Sequence, residues 1–217
     1  MKFNIHTHSK KISKKEIYNH RIGIDSEKQD HTSYYSAGIH PWDVDNINLD
    51  NSYNHLIDRL INSNCLALGE CGLDKVCGTN LDLQKQVFQK QLELAHQSSK
   101  KVLIIHCVKA YQEILEEKKK CPYEFIWILH AFNGSKELVE QMSSHGFYFS
   151  LGDNLLNPHS KIHQSIKAIP LNRMFFETDE SEESIDSIYQ KAAEILSVSS
   201  GSLESKIMDN INQVFGI

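Results

Sequence analysis

Short runs of consecutive apolar residues recur along the chain, and stretches long enough for a helix separate them. Clear examples are Cys65-Leu66-Ala67-Leu68-Gly69, Val102-Leu103-Ile104-Ile105, Phe125-Ile126-Trp127-Ile128-Leu129 and Met174-Phe175-Phe176. Runs without polar alternation mark strands buried on both faces of a parallel sheet, joined by helical crossovers. The pattern predicts strands over residues 2–6, 20–25, 34–39, 65–69, 102–106, 125–130, 147–151 and 173–177.

Helical periodicity fills several of the intervals. Over 82–98, Leu83, Val87, Phe88, Leu92 and Ala95 form one apolar stripe. Over 136–145 the stripe is Leu138, Val139 and Met142, with Ser135 as N-cap and Gly146 as stop. Two further amphipathic helices carry Ile185, Ile188, Tyr189, Ala192 and Leu196, then Leu203, Ile207, Ile211, Val214 and Phe215. Eight strands with crossovers predict an α/β chain folded as a (β/α)₈ TIM-type barrel, with an open doubly wound sheet as the competing architecture. The length of 217 residues sits near the lower end for the barrel, roughly 200 to over 400 residues.

The ends of the strands separate the two architectures. His6 and His8 close the first run, and residues i and i+2 of a strand share a side. Glu70, His106, His130 and Asp179 each follow a later run. In a barrel all the C-terminal strand ends meet at one rim, where active sites form; an open sheet would spread the first and last strands apart. Taken singly, each histidine reads as a hydrogen-bonded core or rim residue. Arriving together at strand ends, four imidazoles and two carboxylates read as a metal centre, suited to Zn²⁺, Mn²⁺, Ni²⁺ or Mg²⁺. Six ligands exceed the three usual at one catalytic zinc, so two ions divide them: His6, His8 and Asp179 on one, His106 and His130 on the other, with Glu70 bridging. Paired ions support phosphoryl or acyl transfer to water. Asp179, as a terminal carboxylate, is placed to accept or relay a proton, and Glu70 holds the ions together.

Composition narrows the setting. Apolar residues make up 40% and charged residues 24%, ordinary for a globular chain. No linker, repeat or low-complexity tract appears, which predicts one domain over 1–217. No run approaches a membrane span, and the N-terminus lacks a secretory apolar region. Five cysteines without a Cys-x-x-Cys pair indicate neither a disulfide framework nor a zinc ribbon, and fit a reducing cytoplasm. A net charge of −5 argues against broad non-specific nucleic-acid binding while leaving a local basic patch open.

The stretches Asn4-Ile-His-Thr-His8, Gly38-Ile-His-Pro41, Leu68-Gly-Glu-Cys-Gly-Leu-Asp74, Ile104-Ile-His-Cys107, Leu129-His-Ala-Phe-Asn-Gly134 and Phe176-Glu-Thr-Asp179 resemble, in order and over nearly the whole chain, the TatD family of metal-dependent deoxyribonucleases in the amidohydrolase-like barrel group. The resemblance implies metal ligands at His6, His8, Glu70, His106, His130 and Asp179. It also implies hydrolysis of DNA phosphodiesters, often 3′-to-5′ from an end, with Mg²⁺ or another divalent ion. The short members with similar His-Pro-Trp and His-Cys-Val-Lys-Ala stretches look bacterial. No obligate protein partner is evident.

The chain departs from the family pattern at three places. Asn4 occupies a position that is commonly Asp, Cys107-Val108 replaces Ser-Arg, and the acidic Glu180-Ser-Glu-Glu-Ser184 replaces a Pro-rich, Arg-containing segment. The last two changes remove cations that meet phosphates. Candidate replacements are Lys10 and Lys11, with Lys14 and Lys15, after the first strand, and Lys75, Lys109, Lys136 and Lys161 after later ones. Lys118, Lys119 and Lys120 precede a strand and read as a solvated helix end on the opposite face. Trp42 is placed to stack a base or to pack under its loop. His40 is placed to meet substrate or support the metal site, and Asp74 to orient a ligand or shape its loop. A barrel hydrolase of a small ester, amide or lactone and a non-catalytic metal-binding partner module are the competing functions; a wide basic mouth favours DNA and a closed apolar pocket the small molecule.

Overall fold

The computed structural model describes residues 2–9, 15–25 and 33–217. The strands are β1 (Asn4–Thr7), β2 (Glu16–Arg21), β3 (Tyr35–Gly38), β4 (Cys65–Asp74), β5 (Val102–Val108), β6 (Ile126–Leu129), β7 (Tyr148–Leu151) and β8 (Met174–Phe176). They follow one another in chain order in an eight-stranded sheet, as a series of strand–crossover units requires. The helices are α1 (Leu49–Leu60), α2 (Leu81–Gln97), α3 (Tyr111–Lys120), α4 (Lys136–Ser144), α5 (Lys161–Ser165), α6 (Ile185–Leu196) and α7 (Ser200–Phe215). Among the described residues no helix is long and apolar enough to cross a membrane.

The chain forms two compact units, Met1–Ile17 with Ile128–Ile217, and Tyr18–Trp127. In the first, β7 pairs in parallel with β8. Ile5, Phe147, Leu151, Phe175 and Phe176 are buried, and edge-to-face packing of Phe132 on Phe149 at 4.8 Å closes the core. Ser135 caps α4 by accepting from the Leu138 N–H, and Gly146 follows with φ +80, as its sequence predicts. Near the chain start, the Tyr189 hydroxyl of α6 donates to the Phe3 carbonyl (3.0 Å) and accepts from its N–H (3.3 Å). Helix α6 thereby fixes where β1 begins.

In the second unit, β2 pairs with β3, β3 with β4 and β4 with β5, all in parallel. Helix α2 has the expected apolar face, with Val87, Phe88, Leu92 and Ala95 buried and Phe88 against Trp127 at 5.9 Å. It also buries two glutamines, each tied to a strand end. Gln91 accepts from the Ile39 N–H (2.7 Å) and donates to the Ile39 carbonyl (3.1 Å). Gln84 does the same for Asp74, at 2.8 and 2.9 Å. Lys118, Lys119 and Lys120 form the last turn of α3, where cations face the negative end of the helix dipole.

Two expectations need correction. The second strand is Glu16–Arg21 rather than 20–25, because the chain turns after Arg21: the Ile24 and Asp25 N–H groups both bond to the Arg21 carbonyl, and Gly23 takes φ +86. The apolar Ile22 and Ile24 imitate a strand there, yet Ile24 is exposed. Helix α1 was not anticipated; its stripe of Tyr53, Leu56, Ile57 and Leu60 is interrupted by asparagines of low helix propensity, and Asn48 caps it by accepting from the Asn51 N–H.

Substituting Gln91→Leu strands a buried N–H and a buried carbonyl at Ile39. The expected cost is about 1–3 kcal/mol for each unsatisfied group, read as a lower urea midpoint with unchanged slope.

Candidate metal centre

In the first unit the site is assembled by main-chain bonds between β1 and the segment after β8. The His8 N–H donates to the Asp179 carbonyl (3.1 Å), and the Asp179 N–H donates to the His6 carbonyl (3.0 Å), so that Thr7 and Asp179 form a parallel bridge. Asp179 has φ +54, a left-handed conformation uncommon outside glycine and asparagine-like residues. Its Oδ1 lies 3.4 Å from His6 Nε2 and 3.3 Å from His8 Nε2. His130, at the end of β6, joins them: ligand atoms of His6, His130 and Asp179 all lie within 4.8 Å of one another. The sequence reading grouped His130 with His106; within this unit it gathers with His6 and Asp179.

Asn4 braces this arrangement. Its Oδ1 accepts from the Thr178 N–H (3.1 Å) and the His6 N–H (3.4 Å), while its Nδ2 donates to Thr178 Oγ1 (2.8 Å). The carbonyl of the Asn4 amide thus serves as acceptor for two backbone N–H groups. Burial pushes the Asp179 carboxyl upward, but the close imidazoles of His6 and His8, with the charge of His130, outweigh it and hold the group well below the usual carboxylate range. Asp179 is an anion at neutral pH.

The second unit builds its cluster on a bulge. In β4, Leu68 pairs with Leu103 and Cys71 with Ile105, so one residue is extra on the β4 side. Glu70 sits in this bulge, inside β4 rather than at its end. Gly69 and Gly72 flank it with φ +150 and +145, and side chains there would collide with the Ile104 and His106 carbonyl oxygens. The chain approaches β5 this closely only through glycine. Glu70 Oε1 lies 2.7 Å from His106 Nδ1 and 3.1 Å from His40 Nε2, which in turn is 3.2 Å from His106 Nδ1. Burial pushes the His40 imidazole below its ordinary value, against the raising influence of Glu70, which leaves a neutral ring with a lone pair.

These separations fit a cation. Ligands held tetrahedrally at the usual zinc distances stand roughly 3.3 Å apart. Imidazoles with carboxylates suit borderline and harder divalent ions. Thiols take no part: burial pushes Cys65 and Cys107 up to about 12 and Cys71 well above its ordinary value, and all five cysteines are free.

Three groups gained definition only from the structure. His40, a candidate substrate contact in the sequence, stands among the ligand-type atoms with Glu70 and His106. Asn19, fully buried, accepts from the Glu70 N–H (2.8 Å) and donates to Glu70 Oε2 (3.2 Å); nothing in its local sequence marks it. Asp74 Oδ2 lies 3.2 Å from His106 Nε2 and accepts from Trp42 Nε1 at 2.6 Å. Trp42 is 47% exposed, so its loop does not cover it, and its ring stands 4.8 Å from that of His40. Lys109 is exposed after β5 with φ +51. Lys10, Lys11 and Lys14 lie outside the described residues.

The family model described as TatD related DNase matches residues 10–216. The 3'-5' RNA nuclease TATDN2 of Homo sapiens is 34% identical over 131 residues, 58% of this chain and 17% of that protein. The uncharacterized metal-dependent hydrolase YabD of Bacillus subtilis (strain 168) is 31% identical over 150 residues, 67% of this chain and 58% of that protein. The chain therefore spans less than two thirds of the length of either relative. The crystal structure of YJJV, a TatD homolog from Escherichia coli k12, superposes with a TM-score of 0.81 at 19% identity, covering 94% of this chain and 87% of that one. That likeness shows the fold, the (β/α)₈ TIM-type class expected from the strand pattern.

Replacing Asn19 with Ala removes both of its bonds to Glu70. The chain should lose about 1–3 kcal/mol of stability from the unsatisfied buried groups, measured by urea unfolding beside a surface Asn54→Ala control that changes little.

Proposed function

The chain belongs to the TatD-related DNase family, and we propose that it hydrolyses DNA phosphodiester bonds at a two-ion centre, shortening single-stranded or frayed ends from the 3′ side. One observation carries the reading: within each unit, imidazole and carboxylate atoms converge at the separations a divalent cation requires. His6, His8, His130 and Asp179 are the ligands within one unit, and Glu70 and His106, with His40 against both, are the ligands within the other. The match to the family across 10–216 supports treating both units as one catalytic domain. Mg²⁺, Mn²⁺ and Zn²⁺ all suit the donor set.

Bound divalent ions would lower the pKa of water and neutralise charge on the phosphoryl group. The protein's own groups do the rest. Asp179, ionised at neutral pH, accepts a proton from the attacking water and passes it toward the leaving oxygen. Glu70, pinned by Asn19 through both its N–H and its carboxylate, keeps the ligand geometry fixed before substrate arrives. Trp42, half exposed and held by Asp74, offers its face to a base. Lys109 supplies a cation for a phosphate, and Lys10 and Lys11 are assigned the same role from their place in the sequence. The five free thiols, two of them buried, suit action in a reducing cytoplasm.

A second reading rests on a specific feature of the first unit. A cavity of about 560 Å³ adjoins His8 and Asp179 and is lined by Glu16, Glu180, Glu182 and Glu183 together with seryl and threonyl hydroxyls. Its size falls among small-molecule pockets, about 300–1,000 Å³, and its carboxylates disfavour a polyanion. The acidic lining weighs against DNA at this face and keeps hydrolysis of a small ester, amide or lactone as the second reading.

The deciding experiment is digestion of a 5′-labelled single-stranded oligonucleotide with Mg²⁺ or Mn²⁺, with Glu70→Ala alongside. A ladder shortening from the 3′ end, absent in the variant, is expected; metal-loaded protein that leaves the oligonucleotide intact would transfer the assignment to a small-molecule hydrolase. Trp42→Ala should weaken apparent substrate binding about tenfold while lowering turnover much less, since one base stack contributes about 1–3 kcal/mol. His130→Ala should lose activity together with one equivalent of bound metal, measured by elemental analysis, while its circular dichroism stays native.

A further inference from the structure

Glu177 is a buried carboxylate to which the mechanism above gives no task. It follows β8 and is fully inaccessible to solvent. Its N–H donates to the Leu151 carbonyl (3.1 Å), which fixes its main chain against β7. A carboxylate in such a place is costly unless a positive or hydrogen-bonding group compensates it. Oε1 accepts a hydrogen bond from the Ala131 N–H and stands 3.4 Å from His130 Nδ1, an ion-pair separation rather than a hydrogen bond. Oε2 has no hydrogen-bond partner among the described residues. Ala131 itself takes φ +44, an unusual conformation for a residue with a Cβ, and this turn points its N–H at Glu177. One carboxylate therefore addresses both the backbone after His130 and the ring of His130.

We propose that Glu177 is a positioning residue for His130. Its carboxylate, placed beside Nδ1, favours the proton on that nitrogen and leaves Nε2 as the atom available to a cation. The inference rests on the metal-centre reading and deepens it. A carboxylate on the far nitrogen of a ligating imidazole fixes the tautomer, sets the ring orientation and raises ligand basicity. It also explains why an anion is kept in this core. A cation held by His130 would balance the charge of Glu177, whereas pinning Ala131 alone needs only a neutral acceptor.

Glu177→Gln separates the two roles, since it retains an acceptor for the Ala131 N–H and removes the charge. Calorimetric titration of metal-free protein with Mn²⁺ should show affinity at one site falling about 10–100-fold, with the melting temperature of the metal-free variant unchanged. Equal Mn²⁺ affinity in variant and wild type would overturn the proposal. A second measurement needs no variant at the carboxylate. Ring nitrogen NMR of metal-free wild type at pH 8.5, with the His130 signals assigned by their loss in His130→Gln, should place the proton on Nδ1. A proton on Nε2 with a bare Nδ1 would overturn the role even if the wild type binds Mn²⁺. Wild type that takes up no Mn²⁺ would overturn the metal centre itself and this role with it.

Discussion

Two main-chain hydrogen bonds govern the chemistry of the first unit. By joining His8 to Asp179 and Asp179 to His6, they bring together residues more than 170 positions apart in the chain. The bonds act on backbone rather than side chains, so they set where the ligand-bearing Cα atoms lie before any rotamer is chosen. Asn4 and Thr178 then lock the same seam from the side. The left-handed backbone at Asp179 is the local distortion that turns its carboxylate onto both imidazoles, and such conformations persist only where the surroundings over-determine them.

The second unit reaches a comparable result by different means. Its ligand-type carboxylate comes from inside a strand, re-aimed by a bulge between two glycines. Buried amides stabilise the irregularity: Asn19 on Glu70, Gln84 on Asp74 and Gln91 on Ile39. The two glutamines each satisfy a backbone donor and a backbone acceptor that regular pairing would otherwise have used, and Asn19 satisfies the Glu70 N–H together with its carboxylate. In both units a histidine is also backed by a carboxylate, His106 by Asp74 and His130 by Glu177. Such pairs keep an imidazole in one orientation.

The surroundings of the two clusters differ in character. Around Trp42 an exposed aromatic face is held by Asp74 and approached by the Arg21 guanidinium at 5.8 Å, a surface suited to a base. Beside His8 and Asp179 the cavity wall is acidic. The acidic segment Glu180–Ser184 therefore sets the charge that any group approaching Asp179 from this cavity meets.

Much of the molecule was legible from the order of residues alone. Unbroken apolar runs mark strands buried on two faces, and seven of the eight expected strands lie where their runs fall. The second was misplaced because Ile22 and Ile24 carry the apolar signal of a strand through what is a turn. Helices with continuous stripes were equally plain, down to the Ser135 cap, whereas α1 was hidden among asparagines. The ligand-type residues stood out because metal chemistry needs particular side chains and strand ends supply them at recognisable places. What the order of residues could not show was pairing at a distance. That Asn19 grips Glu70, that His40 stands with Glu70 and His106, that His130 gathers with His6 and Asp179, and that Glu177 backs His130 all depend on strand register and on a one-residue bulge. Register moves side chains between faces in steps of a single residue, and only the folded chain settles it.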